Sequence, residues 1–155
     1  MHITRTGLAL VVLLSLTVGA QPLPGPLQVN EAWIREAPPN AMALAGYMTV
    51  NNSGTEDRQL MAVTSTDFER IELHRSELVQ GVARMIPQDR MPIPAAGRLE
   101  LKPGDYHLML MHPRRSLKVG DEVKAILSFD NDQQLTAVFT VKKSQGSAHE
   151  HHHHH

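Results

Sequence analysis

The chain has 155 residues, a formal net charge of −1 with neutral histidines, ten prolines, ten glycines, eight methionines and no cysteine. The near-neutral charge, without a basic stripe interleaved with aromatics, argues against nucleic acid as a partner. The missing cysteine excludes a disulfide framework and any thiolate metal site, including the blue-copper centre, which needs a Cys sulfur. With one Trp, two Tyr and three Phe, a core has to be built mostly from aliphatic side chains.

Residues 1–20 read as a secretory signal peptide: His2 and Arg5, the apolar run Leu8 to Val18, and a small-residue exit at Gly19-Ala20. The apolar run is short for a membrane span, with a retained N-terminal anchor as the alternative. Residues 144–155 read as a linker and a histidine tag, Gly146-Ser147-Ala148 followed by His149 to His155. Residues 21–143 remain as one domain.

Gln21 to Pro26 is a Pro/Gly-rich entry. Leu27 to Glu36 is a first strand, ended by Pro38-Pro39-Asn40. Leu44 to Asn52 is a second, closed by the turn signal Asn51-Asn52-Ser53-Gly54. Gln59 to Ser65 is a third. Arg70 to Arg75 is a fourth, with Ile71 and Leu73 on one face and Glu72 and His74 on the other. Glu77 to Ile86 splits at Gln80-Gly81 into two hairpin arms. Pro87, Pro92 and Pro94 make the next segment irregular. Arg98 to Leu101 is short and closed by Lys102-Pro103-Gly104. Asp105 to Pro113 alternates, with Tyr106, Leu108 and Leu110 facing a core and His107, Met109 and Met111 facing away. Arg114 to Gly120 is a loop. Glu122 to Phe129 and Leu135 to Val141 alternate on either side of Asp130-Asn131-Asp132. No segment beyond the leader carries a helical period, so the domain is all-β: a Greek-key barrel or sandwich of about eight or nine strands.

Three histidines lie outside leader and tag, at 74, 107 and 112, with seven methionines after Met1, at 42, 48, 61, 85, 91, 109 and 111. Four of these donors fall in the pattern H-x10-M-x21-H-x-M: His74, Met85, His107 and Met109. Thioether sulfur with imidazole is a soft, neutral donor set suited to Cu(I). Thioethers also persist in an oxidising compartment where thiols would form disulfides. Met111 is an auxiliary candidate on the same strand face. Met42, Met48 and Met61 are read as core filler, Met91 as a loop residue, and His112 as a surface histidine. Trp33 is read as a core residue. Glu72 is a candidate partner for the His74 ring, against the plainer reading of a solvated strand glutamate. No Ser-His-Asp order, paired acids or phosphate loop can be assembled, so the chain is not expected to be an enzyme.

The spacing resembles that of the periplasmic copper chaperones known as the PCuAC family. So do Ala32-Trp33-Ile34-Arg35, Ala45-Gly46-Tyr47-Met48, Glu72-Leu73-His74, Arg84-Met85, Leu101-Lys102-Pro103-Gly104, His107-Leu108-Met109-Leu110 and Gly120-Asp121-Glu122-Val123. The resemblance covers the whole domain. It implies a cupredoxin-like fold, Cu(I) held by His74, Met85, His107 and Met109, and a monomer working outside the cytoplasm. It also implies delivery to the copper-A domain of cytochrome c oxidase subunit II, beside a Sco-type thiol protein. A periplasmic copper buffer or resistance protein, and a metal-free β-sandwich interaction module, are the competing expectations.

Overall fold

In the segment Glu122 to Phe129, Val123, Ala125, Leu127 and Phe129 are buried and Glu122 and Lys124 are exposed. This is the two-residue period of a strand with one face on a core. The computed structural model describes residues 25–143 and builds them into ten strands without a helix. These are β1 (Leu27–Arg35), β2 (Ala43–Asn52), β3 (Arg58–Thr64), β4 (Phe68–Val79), β5 (Val82–Pro87), β6 (Met91–Ile93), β7 (Gly97–Leu101), β8 (Tyr106–Pro113), β9 (Glu122–Phe129) and β10 (Gln134–Lys142). The leader and tag lie outside the described residues.

The strands follow one hydrogen-bonded path, β5-β4-β8-β2-β1-β10-β9-β3-β6, with β7 attached to β2. The path turns over on itself at β1. A register shift between Asn30 and Trp33, with Glu31 in the left-handed region at φ 52°, bends that strand. Its first half pairs only with β2; Trp33 to Arg35 also pair in parallel with β10. One strand thus joins the two layers of a cupredoxin-like β-sandwich. Ile34, Met48, Val50, Leu60, Leu108, Leu110, Leu127 and Phe139 fill the space between the layers. Gly46 lets β2 approach β8: a Cβ there would sit 3.0 Å from Leu110 Cδ1.

Four sequence expectations change. Arg70 to Arg75 and the first hairpin arm are one twelve-residue strand, β4, because its first part, Phe68 to Arg75, is held by β8 and its last part, His74 to Val79, by β5. The Pro-rich stretch after Pro87 contains β6, which pairs Met91 with Leu60 of β3. Met91 is therefore fully buried (0% exposed), not a loop residue. Met48 is core as expected, whereas Met42 (64% exposed) and Met61 stand in solvent. Met61 is turned out by a bulge in β3 between Leu60 and Ala62. Trp33 is only partly buried and stacks on Tyr47, ring centroids 4.6 Å apart.

Candidate metal site

The site face is set by the antiparallel register of β4 on β8. His74 lies directly opposite His107, and Glu72 opposite Met109. Alternation places all four on one side of the sheet, while Leu73 and Leu108, also opposed, point into the core. On the other edge of β4, Ser76 pairs with Met85 of β5, so Met85 shares the face of His74 one pair further along. The turn between β4 and β5 is the two-residue Gln80-Gly81 loop, φ 51° and 78°, in the type I′ pattern that fixes hairpin register. The register therefore sets His74 beside His107, with Met85 and Met109 on the same face; the cavity on this face is lined by Met85, His107 and Met109, and His74 is not among its lining residues. Met111 is placed apart, between Arg70 on β4 and Ala43 on β2.

Both imidazoles are buried, His74 at 6% and His107 at 4% exposed, with ring centroids 5.8 Å apart. Each has one nitrogen fixed. His74 Nε2 donates to Glu72 Oε2 at 2.9 Å, and Arg70 Nε donates to Glu72 Oε1 at 2.7 Å. The Arg70 hydrogen bond, and after it the one from His74, hold the Glu72 carboxyl below its ordinary pKa. His107 Nδ1 donates to the Asp105 carbonyl at 3.0 Å, which also accepts from the Ser76 amide at 3.1 Å. A carboxylate and a carbonyl can only accept, so in the neutral imidazoles the lone pairs fall on the remaining nitrogens, His74 Nδ1 and His107 Nε2. Both are buried without a hydrogen-bond partner. Two desolvated lone pairs cost free energy unless something binds them, and a metal ion does so.

His107, Met85 and Met109 line a cavity of about 270 Å³ with Ser76, Ala45, Tyr47 and Arg35. Its floor is closed by Pro103 and Gly104 of the turn before β8, where Pro precedes a glycine at φ 85°. Met85 is 59% exposed, so the cavity opens to solvent on the β5 side. Two larger depressions, about 420 and 450 Å³, lie elsewhere. The first holds Met42 and His112; the second, along the β1 bulge, holds neither His nor Met. His112 stands in a left-handed turn (φ 50°) and is partly buried, not a surface histidine, with Nδ1 3.1 Å from Glu69 Oε2.

Among the described residues no three His, Asp or Glu side chains gather into a metal-binding group. The donors that do share this face are two imidazoles and two thioethers, a soft, neutral set that suits Cu(I) better than hard cations. Sequence reasoning passed over Arg70 and Arg35. The run Arg70-Glu72-His74, alternate residues on one strand face, carried the signal for the first. Arg35, on β1, is brought to the cavity only by the fold.

Two histidines and two methionines stand on the outer face of a cupredoxin-like β-sandwich, a fold class shared with copper-binding domains. The chain belongs to the LpqE-like family, the PCuAC-type family; the family model, described as "Putative lipoprotein LpqE-like", matches residues 27–141. It is 34% identical to protein RP573 of Rickettsia prowazekii over 92 residues, 58% of this chain, and spans half the length of that relative. The copper-bound PCuAC domain from PmoF2 superposes with a TM-score of 0.66 at 22% identity, covering 77% of this chain and 95% of that domain. DR1885 from Deinococcus radiodurans is 27% identical in two solution structures. The apo form has a TM-score of 0.61, covering 93% of this chain and 97% of that one. The CuI form has a TM-score of 0.57, covering 84% and 85%.

Proposed function

We propose that the protein is an extracytoplasmic Cu(I) carrier whose site is His74, Met85, His107 and Met109, and that it delivers copper to the copper-A domain of cytochrome c oxidase subunit II, with a Sco-type thiol protein as a further partner. The observation that carries the reading is the pair of buried imidazoles, each with one nitrogen fixed by hydrogen bonding and the other unpartnered, beside two thioethers on one sheet face. Copper in the PmoF2 domain and Cu(I) in DR1885 support the choice of metal. A family described as lipoproteins supports a location outside the cytoplasm.

The ion is cargo and leaves as it arrived, so no turnover chemistry is required. Four neutral donors bind Cu(I) without changing its charge. His74 and His107 are buried side chains on strands flanked on both sides, β4 and β8, and form the rigid half of the site. Met85, exposed on the outermost strand, is the donor most easily displaced. Release then proceeds by ligand exchange, an incoming sulfur taking the place of Met85. X-ray absorption on the tag-free, Cu(I)-loaded protein should show nitrogen and sulfur neighbours together; a first shell without sulfur refutes the proposal. Mixing that protein with an apo copper-A domain, with and without the thiol partner, tests delivery. Copper retained in both mixtures favours storage.

A further inference from the structure

We infer that Arg35 makes the copper cavity a receptor for an anionic sulfur, so that the thiolate entering during metal transfer is bound beside the ion. The inference rests on the copper site proposed above. Arg35 lines the same cavity as Met85, His107 and Met109. Ala45 pairs directly with Met109, and its single methyl leaves the space between them open. The guanidinium lies over the Tyr47 ring, 5.4 Å from its centroid, which holds it in place.

Arg35, like Arg84, Arg90, Arg98 and Arg114, takes part in no ion pair among the described residues, whereas Arg58, Arg70, Arg75 and Arg115 each meet a carboxylate within 4.0 Å; of the unpaired five, Arg35 alone has a buried side-chain nitrogen without a hydrogen-bond partner. Its Nε is buried and has no hydrogen-bond partner. A desolvated guanidinium N–H without an acceptor is costly. Four neutral donors leave Cu(I) with its full positive charge. Ion and guanidinium then place two positive charges in one cavity, and neither a thioether nor an imidazole relieves them. An anion does, and next to Cu(I) the favoured anion is soft: a thiolate. The exchange balances without redox chemistry. The incoming thiol gives its proton to solvent, its sulfur bonds to copper, the Cu–S bond to Met85 breaks, and copper remains Cu(I). Arg35 stabilises the bound thiolate and does not itself ligate.

The chemistry is the same for a cysteine of an acceptor protein and for a small thiol, so the test has two arms. In the first, tag-free Cu(I)-loaded wild type, Arg35→Lys and Arg35→Met are titrated with N-acetylcysteine amide, following thiolate-to-copper absorption in the near ultraviolet. Arg35→Met should need about tenfold more thiol for half-saturation, as loss of one nearby charge in a solvent-open site implies, and Arg35→Lys should recover most of the difference. N-acetylmethionine amide, a neutral thioether, should not separate the variants. In the second arm, copper is passed to a two-cysteine acceptor protein. Slower transfer from Arg35→Met assigns the receptor to the acceptor's cysteine, and equal transfer assigns it to small thiols. Equal thiol half-saturation in wild type and Arg35→Met overturns the inference while leaving the copper site standing. A wild-type protein that binds no Cu(I) removes both.

Discussion

The two site histidines are prepared differently, and each preparation makes an expectation at the scale of single residues. His74 presents Nδ1 because Glu72 occupies Nε2; His107 presents Nε2 because a backbone carbonyl occupies Nδ1. Nitrogen-15 shifts of the apo protein should therefore show opposite neutral tautomers at the two rings. Glu72→Gln removes the charged partner of His74 and frees Arg70. Loss of such a supporting partner lowers metal affinity by about 10- to 100-fold, measurable by competition with a Cu(I) chelator. Met85→Leu keeps the apolar bulk and deletes one sulfur. Its expected result is one sulfur fewer in the absorption spectrum and faster loss of copper, with folding unchanged because the side chain is exposed. Retention of the wild-type sulfur count would move the ligand role to another methionine. Arg70, Glu72 and His74 show how much a strand discloses, since their shared face follows from alternation alone. Whether Glu72 meets the ring or the solvent depends on rotamers, which sequence does not encode.

At the scale of elements, the site is only as good as the register of β4 on β8, and β8 is seated by β2. Gly46 is the contact point. A larger side chain there must displace Leu110 or Leu108, both buried. Gly46→Val should cost about 1–3 kcal/mol in denaturant unfolding, and a change below a few tenths would contradict the close approach. At the opposite end of the sandwich, buried Asn52 donates through Nδ2 to the Glu56 and Pro94 carbonyls at 2.8 and 3.2 Å and accepts from the Gly54 amide at 3.0 Å. Asn52→Ala leaves those backbone groups without partners and should cost about 1–3 kcal/mol, with Cu(I) affinity unaffected. The β9–β10 hairpin was readable in full from alternation. The methionines were not: Met61 and Met91 sit on strands whose inward and outward faces are decided by a bulge and by pairing to β3, both properties of neighbours distant in sequence.

For the molecule as a whole, the sandwich stands on a mostly aliphatic core with no disulfide, and the proposed copper face lies outside that core. Loading should therefore raise stability without reshaping the fold. Cu(I) at a free concentration 1,000 times its dissociation constant should add about 4 kcal/mol, seen as a higher melting temperature of the tag-free protein and abolished in a His74→Ala, His107→Ala double variant. The overall architecture was legible because short alternating strands between Gly, Pro and Asn turns admit few arrangements. His74, Met85, His107 and Met109 were picked out as candidates by a spacing pattern, and the strand register sets His74 against His107. The place of Arg35 was not, because it depends on β1 crossing from one layer to the other.

Among the described residues the sheet path ends at β5, whose sole strand neighbour there is β4. Three of the four donors ride on strands flanked on both sides, while Met85 rides on a flap hinged at a two-residue turn. Flap breathing then sets how long an ion stays. Hydrogen exchange should be fast in Val82 to Pro87 of the empty protein and slow once copper is aboard. A disulfide stapling the two arms of the flap would lengthen the residence time of the ion with little effect on how fast it arrives.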